Sequence, residues 1–142
     1  MTYKIQCKCN DVQISLHNKP ILHAYCHCND CRDLLDIPYH SVVVWSEENI
    51  SIDQGLGSIA IYQHPSLKMQ KHFCAKCGDV LFNTNGVMGW RVVSQLLIAR
   101  CNKNTLPTEL ASNRHFFYEQ RIINVNDDLP KYLRGSNGAL FE

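Results

Sequence analysis

The chain has 142 residues, of which 45% are hydrophobic and 19% are charged, and its formal net charge is +1. This length and composition are enough for a hydrophobic core and exclude a disordered chain. The near-neutral charge, without a dense Lys/Arg stripe, predicts no nucleic-acid partner. Because no segment resembles a signal peptide or a membrane span, we expect a cytoplasmic protein with no membrane partner.

Alternation of apolar and polar side chains predicts strands along most of the chain. One of them, residues 42–45, is apolar throughout, as in a strand that is buried on both faces. The predicted strands cover residues 3–7, 12–16, 21–25, 42–45, 50–52, 59–61, 67–73, 80–82, 92–99 and 115–118.

Turn residues and one short helix separate these strands. Asn10 and Asp11 predict a hairpin turn between the first two strands, and residues 83–86 predict another turn. A helix through Leu35 is predicted, with Asn29 or Asp30 as its N-cap. No repeat or linker interrupts the pattern, so a single, mostly β domain is predicted over residues 1–142. The large aromatic residues assigned to its core are Trp45, Phe82 and Trp90.

Seven of the eight cysteines fall into three short motifs, a C-x-C, a C-x-C-x-x-C and a C-x-x-C-G. Thiolates are soft ligands that favour zinc, and short loops that hold two or three sulfurs are typical of zinc sites. Such close spacing in a reducing compartment disfavours disulfides. We therefore predict two zinc ions per chain. The seven cysteines are Cys7 and Cys9, then Cys26, Cys28 and Cys31, and then Cys74 and Cys77.

The spacing also indicates how the cysteines divide between the two ions. The two pairs supply four ligands, which makes a closed structural site of Cys7, Cys9, Cys74 and Cys77. The triplet Cys26, Cys28 and Cys31 then supplies three ligands and leaves a fourth position open, which is the pattern of catalytic zinc. Spacing leaves an alternative, in which Cys101 or a histidine completes a second structural site. We expect Cys101 to be a small core residue instead.

The order of these motifs resembles the glutathione-dependent formaldehyde-activating enzyme family, whose relatives include the centromere protein V type. The resemblance extends to Arg32, to Phe73 and to the tail at residues 114–118 and 127–130. It implies an Mss4-like fold of antiparallel sheets organised around zinc sites. It also implies a structural zinc on the two cysteine pairs and a catalytic zinc on the triplet.

The activity that this resemblance implies is that of a carbon–sulfur lyase of the S-(hydroxymethyl)glutathione synthase type. Such an enzyme reversibly condenses formaldehyde with glutathione, so the expected partner is a small-molecule thiol. Arg32 is predicted to bind a carboxylate of glutathione, although an ordinary salt bridge is the alternative. The candidate proton donors are His27 and His72, followed by His115 and Tyr118.

Two other functions remain open from the sequence. One is a non-catalytic, zinc-stabilised binding module of Mss4-like fold, because a fold alone does not determine a function. The other is a protein that only binds the thiol–formaldehyde adduct, which also forms without a catalyst. The oligomeric state is left open, and a homo-oligomer is compatible with the sequence.

Overall fold

The computed structural model describes residues 1–135 and 138–142, which form ten strands and two α-helices. The predicted mostly β fold is confirmed. With seven and six residues, neither α-helix in the described residues is long enough to cross a membrane. In chain order the elements are β1 (Thr2–Gln6), β2 (Gln13–His17), β3 (Leu22–Cys26), α1 (Asn29–Leu35), β4 (His40–Ser46), β5 (Ile50–Gln54), β6 (Ile59–Gln63), β7 (Gln70–Cys74), β8 (Val80–Thr84), β9 (Trp90–Ser94), α2 (Gln95–Arg100) and β10 (His115–Phe116).

The strands form two sheets. The smaller sheet has the order β1-β2-β5, and the larger has the order β10-β3-β4-β9-β8-β7-β6. Neighbouring strands are antiparallel except for β10, which runs parallel to β3 at the edge of the larger sheet. The part of the chain from β10 onward, here called the C-terminal segment, therefore covers the outer side of the strand that leads into the cysteine triplet.

Strand β4 contributes to a hydrophobic cluster on each face of the larger sheet, as its apolar sequence predicts. Val43 and Trp45 belong to the cluster that also contains Ile5, Ile14 and the other inward residues of the hairpin. Val42 and Val44 belong to a second cluster on the opposite face, together with the cysteine triplet. Each such side chain contributes about 1.5–3 kcal/mol when it is fully buried.

The predicted strand over residues 92–99 is wrong in its second half, because the chain turns into α2 at Gln95. Ser94 is the N-cap of this helix, and its hydroxyl oxygen accepts a hydrogen bond from the Leu96 N–H at 3.1 Å. A short apolar run fits a buried strand or a buried helix equally well, so periodicity alone does not separate them.

Several other boundaries differ from prediction by two or three residues, among them the start of β7, which is Gln70 and not residue 67. β8 continues through Thr84, so the turn expected at residues 83–86 begins later. The strand expected at residues 115–118 ends at Phe116, because Phe117 adopts a left-handed conformation with φ of 53°. Such a residue interrupts an extended strand.

Gly55 lies where the turn between β5 and β6 packs against the β1–β2 hairpin. Its φ is +82°, and a Cβ atom at this position would overlap the carbonyl oxygen of Asp11. Gly57, two residues later, has open space around it and an ordinary φ. Of these two glycines, only Gly55 requires the absence of a side chain. Its contact with Asp11 supports the hairpin turn that precedes Val12.

We expect Gly55→Ala to lower the free energy of unfolding by about 2 kcal/mol or more, because it combines backbone strain with a clash against Asp11. Gly57→Ala is the matched control and should change stability by less than about 0.5 kcal/mol. Urea denaturation of the zinc-loaded proteins measures both. Equal stabilities for the two variants would contradict the importance of this contact.

Candidate metal centres and the adjoining cavity

The first cysteine group begins in the tight turn after β1. The Asn10 N–H donates to the Cys7 carbonyl oxygen at 3.0 Å, and Asn10 has a left-handed φ of 65°. The Val12 N–H donates to the Cys7 sulfur at 3.3 Å. Alternate residues of a flat strand lie too far apart to share one ion, roughly 6.6 Å. The turn removes this difficulty by bringing Cys9 back beside Cys7.

The second half of this group is the turn that follows β7. Gly78, which directly follows the second cysteine of this pair, has a left-handed φ of +79°. Its N–H donates to the carbonyl oxygen of Cys74 at 2.7 Å. A hydrogen bond from the Asp79 backbone lowers the pKa of Cys77 to about 6, which favours the thiolate.

The sulfurs of the two turns converge across the fold. Cys7 and Cys9 lie 3.6 Å apart, Cys9 and Cys74 lie 3.7 Å apart, and all four sulfurs lie within 4.8 Å of one another. A tetrahedral zinc requires sulfurs roughly 3.8 Å apart, so these residues fit such an ion. Lys76 and Asp11 join the same two turns through a 3.0 Å ion pair.

The cysteine triplet lies where β3 passes into α1. Cys26 ends the strand, Cys28 is the N-cap of the helix, and the Cys31 N–H donates to the Cys28 sulfur at 3.2 Å. The prediction that Asn29 or Asp30 caps this helix is therefore wrong. A cysteine sulfur takes the capping role that an oxygen acceptor usually fills.

The three sulfurs of the triplet also form a group that could hold a metal ion. Cys26 lies 3.4 Å from Cys28 and 3.8 Å from Cys31. All three sulfurs lie within 4.8 Å of one another, and no other Cys, His, Asp or Glu of the described residues joins them at that distance. Hydrogen bonds from the Cys26 and Cys31 thiols lower the pKa of Cys28 to about 3.

A cavity of about 480 Å³ adjoins the triplet, and all three of its cysteines line it. This volume is within the range of small-molecule sites, roughly 300–1,000 Å³. The remaining walls come from α1, β3, β4, β8, β9, the β8–β9 connection, Met69 and the C-terminal segment. Trp90, assigned to the core from sequence, is only half-buried and forms part of the wall, whereas Trp45 and Phe82 are core residues as predicted.

Asn83 and His40 form a buried polar pair behind this cavity, and no motif or spacing in the sequence singles out either residue. The His40 ring and the Asn83 side-chain oxygen lie 3.3 Å apart, and the Asn83 Nδ2 is buried with no hydrogen-bond partner. Asn83 lines the cavity. A buried amide without a partner is costly, on the order of 1–3 kcal/mol, which makes Asn83 a candidate for contact with a ligand.

Two of the candidate proton donors belong to a hydrogen-bonded chain behind the triplet. The His115 Nε2 lies 2.8 Å from the Asp127 carboxylate, and the His115 Nδ1 lies 2.8 Å from the His27 Nε2. Lys131 completes the chain with a 2.7 Å ion pair to Asp127. Both histidines are fully buried, and burial lowers the pKa of His27 to about 4. These hydrogen bonds join the triplet to the C-terminal segment.

Arg32 also contacts the C-terminal segment. Its guanidinium donates to the carbonyl oxygen of Gln120 at 2.8 Å and to the side chain of Asn29. It lines a separate, shallow recess on the outer side of α1. The assignment of Arg32 to a substrate carboxylate stays a prediction.

The other residues that the sequence singled out are tied to the fold. His72 stacks on Phe82 with ring centroids 4.3 Å apart, and the Tyr118 hydroxyl accepts a hydrogen bond from the Val125 N–H at 3.0 Å. Cys101 packs against the core as expected, and its thiol lies 3.5 Å from the Gln6 carbonyl oxygen. All eight cysteines, each within the described residues, are free thiols.

Burial of His40 predicts a pH dependence of stability. Burial lowers its pKa from 6.5 to about 4, so the unfolded chain binds a proton before the folded chain does. His40 therefore makes stability fall as the pH falls from about 6.5 towards 4, by about 1 kcal/mol between pH 7 and pH 5.5. His40→Gln should reduce this loss by that amount in urea denaturation with excess zinc. Equal losses in both proteins would contradict the prediction.

Comparison with known proteins identifies the family. Residues 2–120 match the family described as glutathione-dependent formaldehyde-activating enzyme. A search of curated proteins finds no match. The crystal structure of a Rhodobacter sphaeroides protein has a similar fold, with a TM-score of 0.53 and 18% identity over 66% of this chain and 85% of that chain. The chain belongs to the glutathione-dependent formaldehyde-activating enzyme family.

Proposed function

We propose that the protein is a zinc-dependent carbon–sulfur lyase of the S-(hydroxymethyl)glutathione synthase type. Its substrates are a thiol such as glutathione and formaldehyde or a similar aldehyde, and the reaction is the reversible formation of their adduct. The observation that carries this proposal is the three-sulfur group of Cys26, Cys28 and Cys31 on the wall of a cavity of about 480 Å³. A three-ligand site beside a cavity is the pattern of catalytic zinc.

The two cysteine groups are assigned different roles. Cys7, Cys9, Cys74 and Cys77 form a closed four-sulfur group that joins β1 to β7, which suits a structural zinc. The triplet has three members and adjoins open space, which suits a catalytic zinc. A zinc ion held by three thiolates supplies a further position for a thiol and lowers the pKa of that thiol.

The reaction itself is an addition. A bond forms between the thiol sulfur and the aldehyde carbon, and the carbonyl π pair passes to the oxygen. The thiol releases one proton and the oxygen takes one up, so no oxidant or reductant is consumed. The oxygen gains charge during this step and requires a hydrogen-bond donor. We assign this role to the Asn83 amide, because Asn83 lines the cavity and its Nδ2 has no partner.

The cavity walls contribute by orienting the reactants and by keeping water away from them. Val42, Val44 and Val92 are buried wall residues on neighbouring strands of the larger sheet. Holding a thiol and an aldehyde side by side turns a bimolecular reaction into an effectively unimolecular one. The fully buried His27 and His115 support the triplet through their hydrogen bonds. We assign them no proton transfer, because the thiol itself releases the proton that the oxygen takes up.

The assigned roles predict different outcomes for two cysteine substitutions. Cys74→Ser should unfold or strongly destabilise the protein, because a structural zinc contributes folding free energy on the order of 10 kcal/mol. Cys28→Ser should lose one zinc per chain but keep most of the fold. Zinc content per chain and thermal denaturation measure both effects.

Cys101→Ser is the matched control for these variants. Cys101 belongs to neither sulfur group, and its contact with Gln6 can be kept by a hydroxyl. This variant should keep two zinc ions and its full stability. If Cys74→Ser and Cys28→Ser unfold alike, the division into a structural and a catalytic site is wrong.

The activity is tested by measuring the exchange of formaldehyde with glutathione by NMR, with and without protein. We expect the exchange rate to rise in proportion to the protein concentration, to return to the uncatalysed rate with Cys28→Ser, and to stay high with Cys101→Ser. Equal rates with and without protein would exclude the lyase and leave a protein that only binds the adduct.

The cobalt-substituted protein distinguishes an open site from a closed one. Glutathione should change the visible absorption of the cobalt-loaded wild type, because a thiol can enter a three-sulfur site. Cys28→Ser should remove this response. A wild-type spectrum that glutathione leaves unchanged would favour the non-catalytic, zinc-stabilised binding module.

A further inference from the structure

The lining of the cavity changes in character from its mouth to its floor. Three residues of the lining are exposed and form its mouth, of which Asn29 and Asp30 are polar and Val87 is apolar. Apart from the cysteines, the buried residues of the lining are apolar with one exception, Asn83. The apolar members of this floor are Val42, Val44, Met69, Val92 and Phe116.

The side chains of the floor also carry no positive charge. Among the described residues that line the cavity, Asp30 is the only charged side chain apart from the cysteine thiols, and none is Lys, Arg or His. Where the thiol already binds a zinc ion at the triplet, a carboxylate that entered the floor would lose its hydration without finding a cationic side chain, which is costly. The floor therefore excludes the charged ends of a peptide-like thiol and accepts an uncharged, apolar group.

Formaldehyde leaves most of this space unfilled. It has two heavy atoms and is scarcely larger than a water molecule, which occupies about 30 Å³ in the liquid. The cavity measures about 480 Å³. The floor would offer a larger aldehyde an apolar surface, and each methylene group buried there would contribute about 0.8 kcal/mol, a factor of about four in binding.

We propose that the physiological aldehyde carries an apolar substituent, such as a straight chain of about four to eight carbons, and that Leu22, Val44 and Val92 select it. This proposal rests on the proposed lyase function for the identity of the reaction. The polar mouth accommodates the thiol, and the apolar floor accommodates the substituent on the aldehyde carbon. The bond changes are those of the addition described above, with R–CHO in place of formaldehyde.

The first test compares formaldehyde, butanal and hexanal at a fixed glutathione concentration, each corrected for its uncatalysed reaction. We expect the protein-dependent kcat/KM, divided by the uncatalysed rate constant of the same aldehyde, to rise about three- to fourfold for each added methylene between butanal and hexanal. Catalysis of formaldehyde exchange with no gain for the longer aldehydes would overturn the substrate proposal and leave the lyase function standing.

Substitutions at the cavity wall provide the second test. Leu22→Trp should fill part of the cavity, so it should lower kcat/KM for hexanal at least tenfold and change that for formaldehyde less than twofold. Ile21→Trp is the matched control, because Ile21 is 48% exposed and does not line the cavity. It should leave both values unchanged. Equal losses for both aldehydes in Leu22→Trp would count against selection by this wall.

Val92→Thr tests the same wall without a change of size, in case Leu22→Trp does not fold. Threonine has nearly the shape of valine and adds one hydroxyl group to the floor. We expect a several-fold lower kcat/KM for hexanal, a smaller loss for formaldehyde, and unchanged zinc content. The same value for hexanal as in the wild type would contradict the assignment of Val92.

Direct binding separates the substrate proposal from the lyase proposal. The zinc-loaded protein, with ¹³C-labelled valine and leucine methyl groups, is titrated with 1-hexanol as an unreactive probe. Shifts are expected at Leu22, Val44 and Val92, and none at Val43 and Val93, which face the other core. If no aldehyde reacts, the lyase proposal fails, and the titration alone then tests whether the cavity binds an apolar ligand. The listed shifts would support such a ligand, and their absence would exclude it.

Discussion

The fold depends on bringing several sulfur atoms to less than 5 Å from one another at two places. Thiolates at such distances repel one another unless a cation lies between them, so each group requires a metal ion or protonated thiols. The group of Cys7, Cys9, Cys74 and Cys77 spans the two sheets. Its closure fixes the hairpin of β1 and β2 against β7, and the core beneath the hairpin depends on that contact.

The triplet is held by a different set of contacts. Its strand β3 lies between β4 and β10, and the hydrogen-bonded chain from His27 through His115 to Asp127 joins it to the C-terminal segment. Asn83 approaches the same cavity from β8 with His40 behind it. The side chains around the triplet therefore come from distant parts of the sequence, although the three cysteines themselves lie within six residues.

This difference explains what the sequence could predict. The grouping of the cysteines follows from short motifs, since residues two or three apart in a turn are close in any fold. Alternation likewise predicted most strands, and the continuous apolar run predicted the two-sided burial of Val42 to Trp45. The helix α2 was missed because its apolar run, Leu96 to Ala99, is too short to show a distinctive period, and its Ser94 cap was the local signal.

The cavity could not have been predicted from such local patterns. Its walls depend on the strand order β3-β4-β9, which places Leu22, Val44 and Val92 on one face. Strand order is a long-range property, and no motif in the sequence encodes it. For the same reason Trp90 was assigned to the core, whereas its position at the wall depends on the face that β9 presents. The cysteine motifs can be read from short stretches of sequence, whereas the walls that would select a substrate depend on the whole fold.

The spacing of the two sulfur groups also has a consequence for the newly made chain. The triplet is complete once residue 31 has left the ribosome, whereas the four-sulfur group must wait until Cys77 appears. We therefore expect the triplet to capture metal first, in a nascent chain that still lacks the partners of β3. A local chelate of this kind would concentrate zinc near the chain before the long-range closure between Cys9 and Cys74, which are 65 residues apart.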